Sequence, residues 1–430
     1  MEKDTTPHPD NPSDQPPQDF LIPAYARYPI ALKRGQGTRV WDTKGNEYLD
    51  FTSGIAVCAL GHCHPAMVEA LAAQSKRLWH CSNLFQQPLQ AELARFLVEE
   101  AMTLPGKIFL CNSGAEANDG LIKAARRYGH QNPLTDSTPR TTILTLHQSF
   151  HGRTLGGIAA TGQDKVKEGF DPMLPGFLHL PINDASAIEK AMHEHPVAAI
   201  LLEPIQGEGG VRTATADFLR SLRTLCDKHR ALLFFDEVQC GLGRTGHWCG
   251  WHSLGAEDVA PDGVSWAKGM GGGFPIGSFW LRDTTTREAS PSLCDILGPG
   301  SHGTTYGGSP LACAVSLAVL REIRDKGLAS HATKTGDHLM REIRSWNSPM
   351  IREVRGAGLL IGIELVADEI EVTDMPKAAT PAMRVVHALL QGGLLVPPAG
   401  PDVIRLLPPL NVSHSECAAA LNVLKATLAP

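Results

Sequence analysis

The chain has 430 residues, 43% hydrophobic and 20% charged, which is enough apolar material for a large core or for two unequal domains. Its formal net charge of -6 comes without a clustered Lys/Arg run, which argues against nucleic-acid or membrane-surface partners and for a small-molecule substrate. No run of about 18 apolar residues is present, and ten scattered cysteines without a C-x-x-C pair read as reduced thiols, so a cytoplasmic location is expected.

In chain order, residues 1–20 carry five prolines and five acidic residues against one lysine, and read as a disordered tail without a signal sequence. Residues 21–75 form an N-terminal segment. In it Thr38–Trp41 and Glu47–Phe51 read as a strand pair joined by the turn-forming Asp42–Asn46. Gly61-His62-Cys63-His64-Pro65 precedes a helical pattern from Ala66 to Trp79. No second ligand pair follows at zinc-finger spacing, so a turn before a helix is the plainer reading than a metal site.

Residues 76–320 read as a large domain. A helical pattern over Ala91–Ala101 is followed by a strand at Lys107–Cys111. That strand runs through Asn112, Ser113, Gly114 and Ala115 into a helix, either an anion-binding helix start or an ordinary capped helix. Further apolar strands at Thr141–Leu146, Pro196–Glu203 and Ala231–Phe235 each end in polar residues: Ser149 to Thr154, Glu203 to Gly210 and Asp236 to Gln239. This pattern predicts an α/β fold with a mainly parallel sheet and ligands at the strand ends. Gly241-Leu242-Gly243-Arg244-Thr245-Gly246 matches a dinucleotide fingerprint literally. The residues after its third glycine, His247 to His252, are poor helix formers, so the match is set aside.

Lys268 then stands before glycines at 269, 271, 272 and 273, in backbone able to turn sharply. A lysine held on a stiff turn and partly desolvated loses its proton readily and can form a Schiff base with an aldehyde. Pyridoxal 5'-phosphate would further need an acid at the ring nitrogen, donors for its phosphate, an aromatic plate and a fork for a substrate carboxylate. Asp236, the 113–115 turn with Thr304 and Thr305, Phe150 and Arg153 are candidates for these tasks. From about residue 321 to 430 the texture changes. Glycine-broken strands at Ile351–Leu365 and Gly393–Leu410, with helices at Ala379–Leu390 and Glu416–Leu428, suggest a smaller α+β domain on which the N-terminal segment packs.

The motifs GIAVCALGHCHP (54–65), FLCNSGAEAN (109–118), FHGRT (150–154), LLEPIQGEGGV (201–211), FFDEVQCGLGRTG (234–246), WAKGMGGGFPIG (266–277), GSHGTTYGGSPLACAV (300–315), RGAGLLIGIEL (355–365) and VIRLLPPL (403–410) span nearly everything after the tail. In this set the chain resembles the class III, fold-type I pyridoxal-phosphate aminotransferases, and within them the branch acting on acetylornithine. The resemblance implies a seven-stranded, mainly parallel large-domain sheet and a homodimer with shared active sites.

It also implies that Lys268 carries the cofactor aldehyde and acts as acid and base, with Asp236 at the ring nitrogen and Gln239 near the ring hydroxyl. Val238 and Phe150 would enclose the ring, Ser113, Gly114 and Ala115 would bind phosphate, and Glu237 would belong to the cofactor-binding set. Thr305 would reach the phosphate from a second subunit, beside Thr304, which contacts substrate. Arg153 would bind the donor carboxylate. Glu208 would mask Arg405 in one half-reaction and release it in the other, although a plain structural ion pair is the alternative. The implied reaction moves the δ-amino group of N-acetylornithine to 2-oxoglutarate; succinylornithine, ornithine, acetyl-lysine and 4-aminobutyrate are alternative donors, and an aminomutase is a remote one.

Overall fold

The computed structural model describes residues 20–135, 138–284, 292–366 and 379–429; apart from Phe20, the expected disordered tail lies outside them. The first described elements are β1 (Leu32–Gln36), β2 (Arg39–Asp42) and β3 (Glu47–Asp50), an antiparallel ribbon. The turn between β2 and β3 closes because Asp42 Oδ1 accepts from the backbone of Lys44 and Asn46, as turn-forming aspartates do. A short turn α1 (Ser53–Ala56) and helices α2 (Pro65–Ser75) and α3 (Pro88–Phe96) lead into the large sheet. Both helices begin on proline, whose missing N–H costs nothing in a first turn.

There β4 (Gly106–Cys111), α4 (Gly114–Gln131), β5 (Thr142–Leu146), α5 (Leu155–Ala160), β6 (Phe177–Leu180), α6 (Ala185–Glu194) and β7 (Val197–Leu202) alternate. The small hairpin β8 (Ile205–Gln206) and β9 (Arg212–Thr213) is followed by α7 (Ala216–His229), β10 (Leu232–Asp236), β11 (Gly263–Trp266) and β12 (Gly277–Arg282). The seven strands lie in the order β4-β12-β11-β10-β7-β5-β6, with β12 antiparallel to both neighbours and the other pairings parallel. Every residue of β5, β7 and β10 is buried. That explains the unbroken apolar run of β7 and the mainly apolar β5 and β10: both faces of a parallel sheet are covered by helices. Leu233, Phe235 and Trp266 enter the core on one face, and Leu232, Phe234 and Phe279 the core on the other. Helix α4 lies directly on the second face because Gly120 has no Cβ, which would stand 2.2 Å from the Phe279 ring.

The C-terminal part comprises α8 (Pro310–Asp325), α9 (Leu328–Ser345), β13 (Ile351–Ala357), β14 (Leu360–Leu365), α10 (Pro381–Gln391), β15 (Leu394–Leu395), β16 (Val403–Leu406) and α11 (His414–Leu428). Strands β13, β14 and β16 make an antiparallel sheet, whereas β15 pairs in parallel with β3. The N-terminal ribbon thus extends over the C-terminal unit, and Leu49 and Phe51 share its core with Ile361, Leu389 and Leu406. The glycines of the rejected fingerprint serve this junction: Gly246 has φ +103°, and a Cβ there would stand 2.1 Å from Thr333 Oγ1. Arg244 donates to the carbonyl of Leu359 at 3.1 Å. His62, from the motif that invites a zinc reading, pairs instead with Asp50 at 2.7 Å.

Candidate active site

Five parallel strands point their carboxyl ends to one edge of the sheet, and each delivers a group to one cavity of about 370 Å³. β4 delivers Asn112 to Ala115, β5 delivers Phe150 to Arg153, β7 delivers Glu203, β10 delivers Asp236, Val238 and Gln239, and β11 delivers Lys268. Asp236 pairs in register with Ser265, so the carboxylate and Lys268 arrive on adjacent strands.

Lys268 adopts φ +43°, a left-handed conformation unusual for a residue with a Cβ. Its amine makes no hydrogen bond or ion pair with the described residues. Burial lowers its pKa, opposed by Glu208, Asp236 and Glu203 and reinforced by Arg405. A nucleophilic amine is what results.

Asp236 is held from three sides. Asn118 donates Nδ2 to its Oδ2 at 2.7 Å, His151 Nδ1 lies 2.8 Å from the same oxygen, and the Val238 amide donates to Oδ1 at 3.0 Å. Ser265 in turn donates to Asn118 at 2.6 Å. Glu203 accepts from the amides of Phe150 at 2.9 Å and Gly207 at 3.2 Å, tethering the aromatic residue to the loop that carries Glu208. Burial first, and then the charge of Asp236, raises the Glu203 carboxyl well above its ordinary value. Residue-by-residue reading of the sequence did not single out Asn118, His151 or Glu203. Each sits inside a motif, but nothing local announces contacts across 118 and 85 residues of chain.

At the other end of the cavity, Ser113 caps α4 by accepting from the Glu116 amide. The following first-turn amides have no intrahelical partner and favour an anion. The cradle is closed on glycine: a Cβ at Gly114 would stand 2.8 Å from Val238 Cγ1, and one at Gly152 would stand 2.9 Å from Ala115 Cβ. The Phe150 ring and Arg153 flank the opening, with the guanidinium carbon 5.5 Å from the ring centre. Arg153 has no carboxylate partner among the described residues. Beside the cavity, Arg405, only 1% exposed, donates to Glu208 Oε1 at 2.8 Å and Oε2 at 2.9 Å, and Nη1 also donates to Gln239 Oε1 at 2.6 Å. Burial pushes the Glu208 carboxyl up, but Arg405, with Lys268 and Gln239, outweighs it and holds the group below its ordinary value.

Three expected residues stand elsewhere. Glu237 turns away from Lys268 to accept from the Gly250 amide at 2.6 Å. Burial pushes its carboxyl up to about 8. Thr304 and Thr305 line a separate groove with Asn83 and Gln87, although Thr304 Oγ1 accepts from Asn112 at 3.1 Å.

Residues 22–428 match the family model for class III aminotransferases. The chain belongs to the class III aminotransferases. Its relatives in this family include the acetylornithine aminotransferase of Nostoc sp., 45% identical over 95% of this chain and 92% of that one. The acetylornithine aminotransferase of Bacillus subtilis is 43% identical over 95% and 97%. Among solved structures, ornithine aminotransferase from Toxoplasma gondii superposes with a TM-score of 0.85 at 32% identity, covering 95% of this chain and 92% of that one. N-acetylornithine aminotransferase from Stenotrophomonas maltophilia gives 0.77 at 37% identity, covering 94% and 96%.

Proposed function

We propose that the chain catalyses reversible transfer of the δ-amino group of N2-acetyl-L-ornithine to 2-oxoglutarate, giving N-acetyl-L-glutamate 5-semialdehyde and L-glutamate, a step of arginine biosynthesis. The observation that carries the chemistry is Lys268, unpaired among the described residues and in a left-handed turn at one cavity with Asp236. The donor set fits pyridoxal 5'-phosphate: a free amine for the aldehyde, a buried carboxylate for the ring nitrogen, a plate in Phe150 and Val238, and the start of α4 for the phosphate. That cofactor, when bound, supplies an electron sink for the charge left on the substrate carbon.

The residues divide the remaining work. Asp236, oriented by Asn118 and His151, keeps a proton on the ring nitrogen. Gln239, which bonds Glu208 and Arg405, would stand near the ring hydroxyl. Lys268 Nζ would take up the proton lost from the substrate carbon that bears the amine and hold it for redelivery within the site. Arg153 grips the donor carboxylate as a planar fork. Glu208 covers Arg405 while an ω-amino group reacts, then swings aside so that Arg405 binds a carboxylate of 2-oxoglutarate or glutamate. Thr305 and Thr304, absent from their own chain's cavity, act in that of a second copy, making a homodimer with shared sites in the cytoplasm. No described helix is long and apolar enough to cross a membrane.

Ornithine is the second reading, supported by the higher backbone similarity to the Toxoplasma gondii enzyme. Sequence identity favours the acetylated donor, and side chains rather than backbone shape an acyl pocket. Following conversion of the cofactor to its amine form with acetylornithine, succinylornithine, ornithine, acetyl-lysine and 4-aminobutyrate decides between them. A much faster reaction with ornithine or 4-aminobutyrate would refute the substrate assignment and leave the transamination chemistry standing. In Glu208→Ala, exposure of Arg405 should shift the preference from the ω-amino donor toward glutamate; an unchanged preference would rule out the mask.

A further inference from the structure

At the opposite edge of the large sheet, helices α6 and α7 end side by side just before the amino ends of β7 and β10. Three side chains converge there. Glu189 and His193 lie one turn apart on α6, and His229 is the last residue of α7. Their ligand atoms all fall within 4.8 Å of one another. The two imidazole rings meet edge to face with centres 4.8 Å apart, and His193 Nε2 lies 4.0 Å from Glu189 Oε1. His229 Nε2 is buried and has no hydrogen-bond partner among the described residues. A buried ring nitrogen left unpaired beside a second imidazole and a carboxylate lacks the hydrogen-bond partner that a cation can replace.

We propose that Glu189, His193 and His229 form a binding site for a divalent transition-metal ion, one that clasps α6 to α7 and is independent of the catalytic cavity. Two imidazoles and a carboxylate suit Zn²⁺, Ni²⁺ or Co²⁺ rather than Mg²⁺ or Ca²⁺, which prefer all-oxygen sets. Ligand bonds of about 2.0–2.2 Å require the three atoms to draw together by roughly an ångström, and His193, which is exposed, has the freedom to do so. The competitor is Lys228, whose amine donates to Glu189 Oε1 at 2.7 Å. A metal would have to displace it. The site stands behind the amino ends of the strands whose carboxyl ends build the cavity, so its occupancy should leave turnover unchanged.

The test uses cofactor-saturated protein without an affinity tag, cleared of free cofactor and titrated with Ni²⁺ against a chromophoric chelator. One ion should bind per chain above background, and saturating Ni²⁺ should raise Tm. His193→Ala and His229→Ala should each weaken binding at least tenfold and abolish the Tm shift, with turnover unchanged. Lys228→Gln should tighten binding severalfold by freeing the carboxylate. Ni²⁺ affinity and Tm shift unaffected by both histidine substitutions would overturn the proposal, as would Lys228→Gln binding no tighter than the parent.

Discussion

Lys268 and Glu237 are both buried ionisable groups close to Asp236, yet burial acts on them in opposite chemical senses. Desolvation lowers the lysine and raises the carboxyl, and only the lysine faces the cavity. Lys268→Ala should abolish the visible absorbance of cofactor held by the protein and cut turnover by about 10²- to 10⁴-fold, the usual range for a lost acid/base group; absorbance and rate assays check both. Arg153→Lys keeps the charge but loses the fork, so the KM for the amino donor should rise about tenfold with a smaller effect on kcat. For Glu237 the sign follows from its raised folded value of about 8 against 4.5 unfolded. Its contribution is complete below the unfolded value and is lost as pH rises through about 8. Glu237→Gln, permanently neutral and still able to accept from Gly250, should therefore lose less Tm between pH 6 and 9 than the parent, as thermal scans at the two pH values would read.

At the scale of elements, the contact between the large sheet and the C-terminal unit is set by glycines that let backbone meet backbone. A Cβ at Gly336 on α9 would stand 1.8 Å from the Gly358 carbonyl oxygen, and Gly358, at φ +51°, itself lies against Arg244 and Thr245. Neither carbonyl nor helix can yield cheaply. Gly336→Ala should cost about 1–3 kcal/mol or more, despite alanine's better helix propensity, and a denaturant midpoint would show it. This contact also explains the false dinucleotide fingerprint: Gly243 and Gly246 have positive φ and pack on the C-terminal unit. The β7, β10 and α11 segments were readable within a residue or two from apolar runs and helical spacing. By contrast β6, β11 and β12 were not picked out, since four to six residues with little pattern become strands only when neighbours complete their hydrogen bonds.

Across the whole molecule, the two ends of the described chain are joined through Phe51. Its amide donates to Leu395 at 2.9 Å, its carbonyl accepts from Leu407 at 2.8 Å, and its ring is fully buried in the C-terminal core. Phe51→Ala should cost about 3–5 kcal/mol of stability, lowering the unfolding midpoint, because the cavity lies where three segments meet. The location of Thr304 and Thr305 away from their own cavity belongs to this scale as well. A homodimer would sediment at about twice 46.2 kDa, and a monomer with full activity would remove the crossing role proposed for Thr305.

What the sequence by itself determined was the family, the alternating α/β plan and most of the candidate residues, because strand burial, turn glycines and a lysine before a glycine run leave local marks. Only the tertiary structure decided which of those residues share a cavity. It turned Glu237 away while Asp236 faced in, and it brought Asn118 and His151 onto one carboxylate oxygen. The three ligands of the proposed metal site likewise met only once α6 and α7 were packed side by side. Local pattern records how each segment folds; the meeting of side chains distant in sequence is fixed by strand order and register, which no single segment contains.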